Sequence, residues 1–191
     1  TLDRSSAASD VYKRQLQAEG RGKTMLFTRT KRTAQKLAEE LAERGFRVAT
    51  VHGDLGQVAR EKALDAFRDG TVDVLVATDV AARGIDVDDV THVINYQCPE
   101  DDKTYVHRIG RTGRAGNSGV AVTLVDWDDI PRWMLIDKAL DLGKGEPEET
   151  YHTSEHLYSD LGIDPDVKGE VGPAQELIGV CLLYTSPSPR D

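Results

Sequence analysis

The most distinctive residues of this chain are three arginines spaced three residues apart, Arg108, Arg111 and Arg114, in the run HRIGRTGRAG at residues 107–116. A planar guanidinium binds phosphate oxygens through two parallel hydrogen bonds, and the interspersed glycines let the backbone approach a ligand closely. Such a cluster is suited to stabilising a phosphoryl group whose negative charge rises during transfer. The alternative is a surface turn that only forms ion pairs. A second run upstream, VATDVAARGID at residues 76–86, favours the phosphate hypothesis.

Both runs resemble the two most characteristic motifs of the second RecA-like lobe of DEAD-box ATP-dependent RNA helicases. The resemblance extends from about Thr24 to Asp126, and the motifs follow the family's order. Related DNA helicases of the same superfamily usually carry another residue in place of the histidine that begins the arginine-rich run. The resemblance implies three partners: RNA bound through its backbone, an N-terminal RecA-like lobe of the same enzyme, and ATP with Mg²⁺ held mainly by that lobe.

By this resemblance, one group of residues handles the nucleotide. Arg111 and Arg114 are arginine fingers for the γ-phosphate of ATP, and such a finger contributes about 10³–10⁵ in rate. The other predicted positions are His107 and Arg108, which position the loop and link it to the first lobe, and Gly84 and Asp86, at the ATP ribose. A carboxylate suits the ribose because it accepts two hydroxyl donors without changing its protonation. For His107 alone, a hydrogen-bonded structural imidazole is an equal alternative.

A second group matches family positions that hold the RNA backbone: Thr30, Gly53, Gln57, Arg60, Thr78 and Arg83. Hydroxyls, backbone amides and arginine side chains bind phosphate, and so hold a strand without reading its bases. Thr30 also suits the cap of a helix, which is compatible with phosphate binding because a helix N-terminus itself attracts phosphate. Asp79 matches a position that contributes to contacts between lobes. Its alternative role is to cap a short helix beginning at Val80.

Short apolar segments alternate with amphipathic segments along the centre of the chain. Strands are predicted at 25–27, 48–51, 74–77, 93–94 and 120–125, and helices through 34–42, 63–67 and 102–108. This alternation predicts an α/β fold in which a RecA-like parallel sheet is sandwiched by helices in three αβα layers. Ligands of such sheets bind at the carboxyl ends of the strands. A helix over 127–142 and a loosely ordered acidic tail over 143–180 are predicted as a C-terminal extension.

The net charge of −9 would oppose nucleic-acid binding if it were spread over the whole chain. Residues 126–176, however, hold 14 acidic and 4 basic side chains, and residues 1–125 therefore carry about +1. Local positive charge governs contact with phosphate. We interpret the acidic extension as a solvated surface, with competition against RNA for the basic groove as a minor alternative.

Cysteine content and hydropathy indicate a cytoplasmic protein without a membrane segment. No run approaches the ~20 apolar residues of a membrane span, and no secretory signal is visible. Cys98 is the only cysteine outside residues 181–191, which fits a reducing compartment. Cys98 lacks a neighbouring Cys/His cluster, so no metal site is predicted in the chain, and a partly buried loop thiol is the better interpretation.

The two ends of the chain look like translated adapter DNA from sequencing-library preparation. Codons that can encode residues 10–15, when reverse-complemented and read in another frame, encode Cys-Leu-Leu-Tyr-Thr, the sequence of residues 181–185. We therefore predict that residues 1–15 and 181–191 are non-native and that the reading frame is a fragment. The predicted organisation is a lobe at 16–126 and an extension at 127–180. The alternative is a native serine-rich start and a native proline-rich tail.

The sequence lacks the P-loop and the Asp-Glu-Ala-Asp sequence, the parts that grip ATP and Mg²⁺. Gly22-Lys23-Thr24 looks like the end of a P-loop, but that pattern needs a glycine where Gln17 stands. No Asp-Glu-Ala-Asp sequence is present either. The chain is therefore predicted to be the C-terminal lobe of an ATP-dependent RNA helicase, inactive as a fragment. The alternatives are a related DNA helicase and a stand-alone RNA-binding or regulatory module.

Overall fold

A computed structural model of the protein describes residues 4–114 and 116–178, and for residues 4–9 it describes the backbone alone. Parallel strands form a five-stranded sheet in the order β2-β3-β1-β4-β5. The strands are β1 (Lys23–Thr28), β2 (Val48–Val51), β3 (Val74–Thr78), β4 (Val90–Asn95) and β5 (Val120–Thr123). The predicted parallel α/β class is confirmed.

Helices cover both faces of this sheet. They are α1 (Arg4–Gln15), α2 (Lys31–Glu43), α3 (Gln57–Asp69), α4 (Asp79–Ala82), α5 (Asp102–Ile109), α6 (Ile130–Leu140) and α7 (Glu155–Leu161). Successive residues of a strand point to opposite faces. Accordingly, Phe27 of β1 packs in one core with α3, and Leu26 packs in another core with α1 and α2. Strands β2 and β3 are buried along their whole length, in agreement with their nearly continuous apolar sequences, whereas β5 at one edge of the sheet is exposed or half-buried.

Local signals in the sequence set the ends of the helices near the carboxyl edge of the sheet. Thr30 caps α2, because its hydroxyl oxygen accepts a hydrogen bond from the Thr33 amide at 3.2 Å. Asp101 caps α5 in the same way, accepting from the Thr104 amide at 2.7 Å. At the opposite edge of the sheet, where the chain leads into β3, Gly70 ends α3 with a φ of 82°, a left-handed conformation that favours glycine. The loops that follow β1 and β4 therefore leave the sheet in defined directions.

The C-terminal extension packs against the lobe. The rings of Trp133 in α6 and Tyr105 in α5 meet edge to face, 5.8 Å apart, and Trp133 donates from Nε1 to the Gly145 carbonyl at 3.0 Å. The sequence did not predict α7, whose few apolar residues are too short a pattern to reveal a helix. Leu157 of α7 is buried against Val11 and Ala18.

The segment predicted to derive from an adapter contributes to the described structure, since α1 packs against α2. Tyr12 is buried and meets the ring of Tyr96 edge to face at 5.3 Å. Arg14 Nε and Gln15 Oε1 are buried without a hydrogen-bond partner. Residues 181–191 lie outside the described residues, so the origin of both ends stays a prediction. Within residues 4–114 and 116–178, no helix has the length and apolarity that crossing a bilayer requires.

Candidate functional site

The two runs singled out in the sequence meet at the carboxyl edge of the sheet, where they line an open cleft. Residues 79–84 follow β3, and residues 107–111 end α5 and continue beyond it. The cleft has a volume of about 400 Å³ and is lined by Phe27, Asp79, Ala82, Arg83, Gly84, Thr104, His107, Arg108 and Arg111. A parallel α/β sheet binds its ligands at this edge.

Arg108 is the buried anchor of the cleft. Its Nε and Nη2 atoms each donate to one carboxylate oxygen of Asp79 at 2.7 Å, and its Nη1 atom donates to the Gln97 carbonyl at 2.8 Å. The guanidinium carbon also lies 5.5 Å from the ring centroid of Phe27. The Arg108 side chain is 1% exposed, and its ion pair with Asp79 joins α5 to α4. Asp79 is the first residue of α4, and its carboxylate binds Arg108.

Arg111 and Arg114 lie nearer the solvent than Arg108. Arg111 Nη1 donates to the Ile85 carbonyl at 2.6 Å, and Arg114 Nη1 lies 3.7 Å from the Asp86 carboxylate. Partial burial lowers the pKa of Arg111, the nearby positive charge of Arg114 lowers it further, and Asp86 partly opposes both effects. Two neighbouring cations at the rim of a cleft favour binding of an anion there.

The remaining predicted nucleotide positions surround these arginines. His107 is exposed and lines the cleft. Gly84 follows α4 with a φ of 72°, which favours glycine and turns the chain toward Asp86. The Asp86 side chain is 89% exposed, so both carboxylate oxygens are open to hydroxyl donors.

Two residues that the sequence did not single out shape the arginine-rich loop. A Cβ atom on Gly119 would lie 2.2 Å from Thr112 Oγ1 and 2.7 Å from the Gly113 amide nitrogen, so only glycine fits there. Gln97 accepts from Arg108 through its backbone carbonyl and from the Arg29 amide through its side chain. Neither residue belongs to a recognisable local pattern, and the Arg29 amide that Gln97 binds lies 68 residues away in the sequence.

Three of the predicted RNA positions lie on loops that are neighbours at the same edge. Thr28, at the end of β1, pairs in register with Thr78 at the end of β3, and Val51 of β2 pairs with Ala77. The loops after β1, β2 and β3 carry Thr30, Gly53 and Arg83, all exposed. Parallel strands thus bring together residues that are some twenty residues or more apart in the sequence.

Side-chain contacts hold these loops to one another. Lys31 forms an ion pair with Asp54 at 2.7 Å, and His52 Nε2 lies 2.8 Å from Gln35 Oε1. Burial lowers the pKa of His52, with Asp54 opposing the shift. The first turns of α2, which follow the loop after β1, are therefore joined to the loop after β2 by two contacts.

The helical RNA positions make contacts within the lobe. Arg60 of α3 donates to the Ala81 carbonyl of α4 at 2.7 Å, and Gln57 donates to Glu61 one turn along α3 at 2.7 Å. Thr78 is buried and precedes α4 without capping it through its side chain. Arg60 thus joins α3 to α4, which lies within the upstream run at residues 76–86.

Within the part of the chain that the structure describes, no three His, Cys, Asp or Glu side chains are grouped so as to hold a metal ion. Cys98 is fully buried beneath α6 with Trp133 and Ile136, whereas the sequence predicted partial burial. Burial raises the pKa of the Cys98 thiol to about 11, and Asp129 adds to this effect.

The helicase conserved C-terminal domain model matches residues 7–116 of the chain, beginning inside α1. The DEAD-box ATP-dependent RNA helicase CshA of Geobacillus kaustophilus is 50% identical over 129 residues, which make up 68% of this chain and 28% of that protein. The chain thus spans little more than a quarter of the length of this relative.

Solved structures of DEAD-box proteins have the same fold. The structure of E. coli SrmB bound to the regulator of ribonuclease activity A superposes with a TM-score of 0.69 and 36% identity, over 72% of this chain and 81% of that chain. A Dbp5 variant of S. cerevisiae bound to RNA and ADP BeF3 superposes with a TM-score of 0.64 and 39% identity, over 69% of this chain and 35% of that one.

Proposed function

Because the chain belongs to the helicase conserved C-terminal domain family and is the C-terminal lobe of a DEAD-box RNA helicase, we propose that it supplies arginine fingers for ATP hydrolysis and backbone contacts for RNA unwinding. The observation that carries this proposal is that Arg111, which lines the cleft, and Arg114 contact Ile85 and Asp86 at the end of the upstream run. Two cations and an open carboxylate match the phosphates and the ribose of a nucleotide.

The side chains of the cleft fit ATP, which would arrive with Mg²⁺ on an N-terminal lobe and supply the phosphoryl group that is transferred. Asp86 accepts hydrogen bonds from the ribose hydroxyls beside Gly84, and its protonation does not change. Arg111 and Arg114 turn toward the γ-phosphate and stabilise its equatorial oxygens. Arg108 keeps the loop in place through Asp79, and His107 lies on the face open to the other lobe.

RNA is held by the neighbouring loops after β1, β2 and β3. The Thr30 and Thr78 hydroxyls, the Gly53 amide and the Arg83 guanidinium bind phosphates, with Gln57 and Arg60 at the adjoining start of α3. Such contacts recognise backbone and carry no base preference. Closure of the two lobes, with Asp79 near their interface, bends one strand and so disrupts a short duplex, and hydrolysis releases it.

We further propose the domain organisation and location predicted from the sequence. The lobe comprises residues 16–126, the extension comprises 127–180, and residues 1–15 and 181–191 come from adapter DNA. The buried Arg14 Nε and Gln15 Oε1 atoms, which have no hydrogen-bond partner, support a foreign origin of this segment. Sequencing the gene from unamplified genomic DNA tests this organisation, and the same codons at both ends would overturn it. A reducing cytoplasm is proposed from the cysteine content.

The test of the activity joins this chain to the N-terminal lobe of the G. kaustophilus relative and measures RNA-stimulated ATP hydrolysis. We expect Arg111→Ala to lower turnover by about 10³ or more. Arg44→Ala is the control, because Arg44 is a half-buried arginine that pairs with Glu170 at the end of α2, away from the cleft. Turnover that is indifferent to Arg111→Ala overturns the finger assignment.

Two further measurements separate the alternatives. Stimulation of the same fusion by duplex DNA in place of RNA would assign the chain to the related DNA helicases. The isolated chain, which lacks a P-loop in its sequence, is expected to have no Mg²⁺-dependent turnover. Turnover by the isolated chain that Arg111→Ala abolishes would contradict this expectation.

A further inference from the structure

Asp129, near the start of the C-terminal extension, is buried and binds Arg29 in the loop that carries Thr30. Its Oδ2 atom accepts from Arg29 Nη2 at 2.6 Å, and its Oδ1 atom accepts from Arg132. Arg29 is the residue immediately before Thr30. The carboxylate of Asp129 therefore binds the residue next to Thr30, whose hydroxyl is predicted to bind RNA.

Arg29 is held at three points, each of them in or beyond the loop after β4. Its amide donates to Gln97 Oε1 at 2.7 Å, its Nε atom donates to the Cys98 carbonyl at 3.0 Å, and Nη2 binds Asp129. The guanidinium is thus turned inward, away from the solvent in which RNA would lie. Its charge is compensated by Asp129, so Arg29 is suited to shaping the loop.

The same segment also touches the anchor of the nucleotide cleft. The Gln97 carbonyl accepts from Arg108, which binds Asp79. Gln97 therefore connects the Asp129–Arg29 pair with the Arg108–Asp79 pair through its side chain and its backbone. The extension, the loop bearing Thr30 and the cleft form one continuous set of hydrogen bonds.

We propose that Asp129 is a positioning residue for RNA binding, which acts by fixing Arg29 and thereby the Thr28–Lys31 loop. This inference rests on the proposed RNA contact of Thr30. It assigns a role to the start of the C-terminal extension, to which the sequence alone assigned none. Hydrogen-bonded charge pairs of low exposure hold geometry well, because a misplaced partner leaves a charge poorly solvated.

The test compares Asp129→Asn with Asp128→Asn in the full chain, using fluorescence anisotropy of a labelled oligouridylate at low salt. Both substitutions remove one negative charge, and Asp128 is exposed. General electrostatics predicts equal or slightly tighter RNA binding for both variants. Positioning predicts that Asp129→Asn alone weakens binding, by about fivefold or more. Equal affinities of the two variants overturn the proposal.

A double-variant cycle identifies the partner through which Asp129 acts. If Asp129 acts through Arg29, the Arg29→Ala/Asp129→Asn chain binds RNA no more weakly than the weaker of the two single variants. Additive losses would mean that the two residues act independently and would overturn the coupling. Circular dichroism checks that each variant is folded.

Hydrogen exchange makes the inference testable apart from the proposed function. The Thr33 amide donates to Thr30, and the Arg29 amide donates to Gln97. We expect Asp129→Asn to speed exchange in peptides covering residues 28–34, and Asp128→Asn to leave it unchanged. If the unaltered chain binds no RNA, the RNA part of the proposed function fails. Hydrogen exchange in residues 28–34 still tests whether Asp129 fixes the loop. Unchanged exchange in Asp129→Asn overturns the inference.

Discussion

Replacing Asp79 by asparagine tests whether the Arg108–Asp79 pair anchors the cleft. In the folded chain, two guanidinium nitrogens of Arg108 each donate to one Asp79 oxygen at 2.7 Å, and Arg108 is 1% exposed. Asparagine keeps the shape of the side chain, removes its charge and turns one acceptor toward Arg108 into a donor. The substitution therefore leaves a buried cation without its counter-ion.

The expected loss of stability follows from the burial of the two partners. Removing one partner of a buried ion pair costs about 3–5 kcal/mol. The Asp79 side chain is 34% exposed, and the Gln97 carbonyl still accepts from Arg108. Water and this carbonyl offset part of the loss, so we expect the substitution to lower the free energy of unfolding by about 3 kcal/mol. For a chain of this size, that corresponds to a fall in Tm of roughly 6–12 °C.

Urea unfolding followed by circular dichroism measures this difference. Asp86→Asn is the matched control, because it makes the same change on an 89% exposed carboxylate that lies 3.7 Å from Arg114. Exposed ion pairs contribute little, so we expect no measurable change in the control. If Asp79→Asn lowers the free energy of unfolding by less than about 1 kcal/mol, the Arg108–Asp79 pair contributes no more than an exposed ion pair, and the reasoning is refuted. Equal losses in both variants would refute it as well.

Three other predictions concern stability and reactivity. Gly119→Ala should destabilise the chain by about 1–3 kcal/mol in urea unfolding, because its Cβ would lie 2.2 Å from Thr112 Oγ1 and 2.7 Å from the Gly113 amide nitrogen; an unchanged midpoint would contradict this. Gln15→Leu should raise the unfolding free energy by about 1 kcal/mol or more, since it removes a buried carbonyl oxygen without a partner; a lower midpoint would argue against it. Burial raises the pKa of Cys98 from 9.0 to about 11. The stability that the neutral thiol contributes is therefore present below pH 9 and is lost as the pH rises through 11. Because the thiol is buried and neutral at pH 8, it should react with a disulfide reagent only when the chain unfolds, and rapid labelling of the folded chain would contradict this prediction.

The positions of strands and helices could be predicted because their signals are local. Apolar runs such as Val74–Thr78 are buried on both faces of the sheet, and the periodic residues of α2 face one core. The place of the upstream run was also predictable, since it lies at the end of β3 and ligands of parallel sheets bind at the carboxyl edge. The arginine-rich run lies at the end of α5, and the tertiary structure brings it to the same cleft. The helix α7 was not predictable, because so short a helix is stabilised by tertiary contacts such as that of Leu157.

The sequence by itself determined the family, the α/β class and the loops in which a nucleotide site would lie, because residue types at fixed spacing carry that information. Residue type and spacing alone could not distinguish the three arginines, and only the family resemblance assigned Arg111 and Arg114 as fingers and Arg108 as a residue that positions the loop. Only the tertiary structure decided that Arg108 is buried on Asp79 while Arg111 and Arg114 remain at the rim. The physical reason is that burial and charge pairing depend on residues distant in sequence. Asp129 reaches Arg29 across 100 residues for the same reason, and no local pattern could reveal that contact.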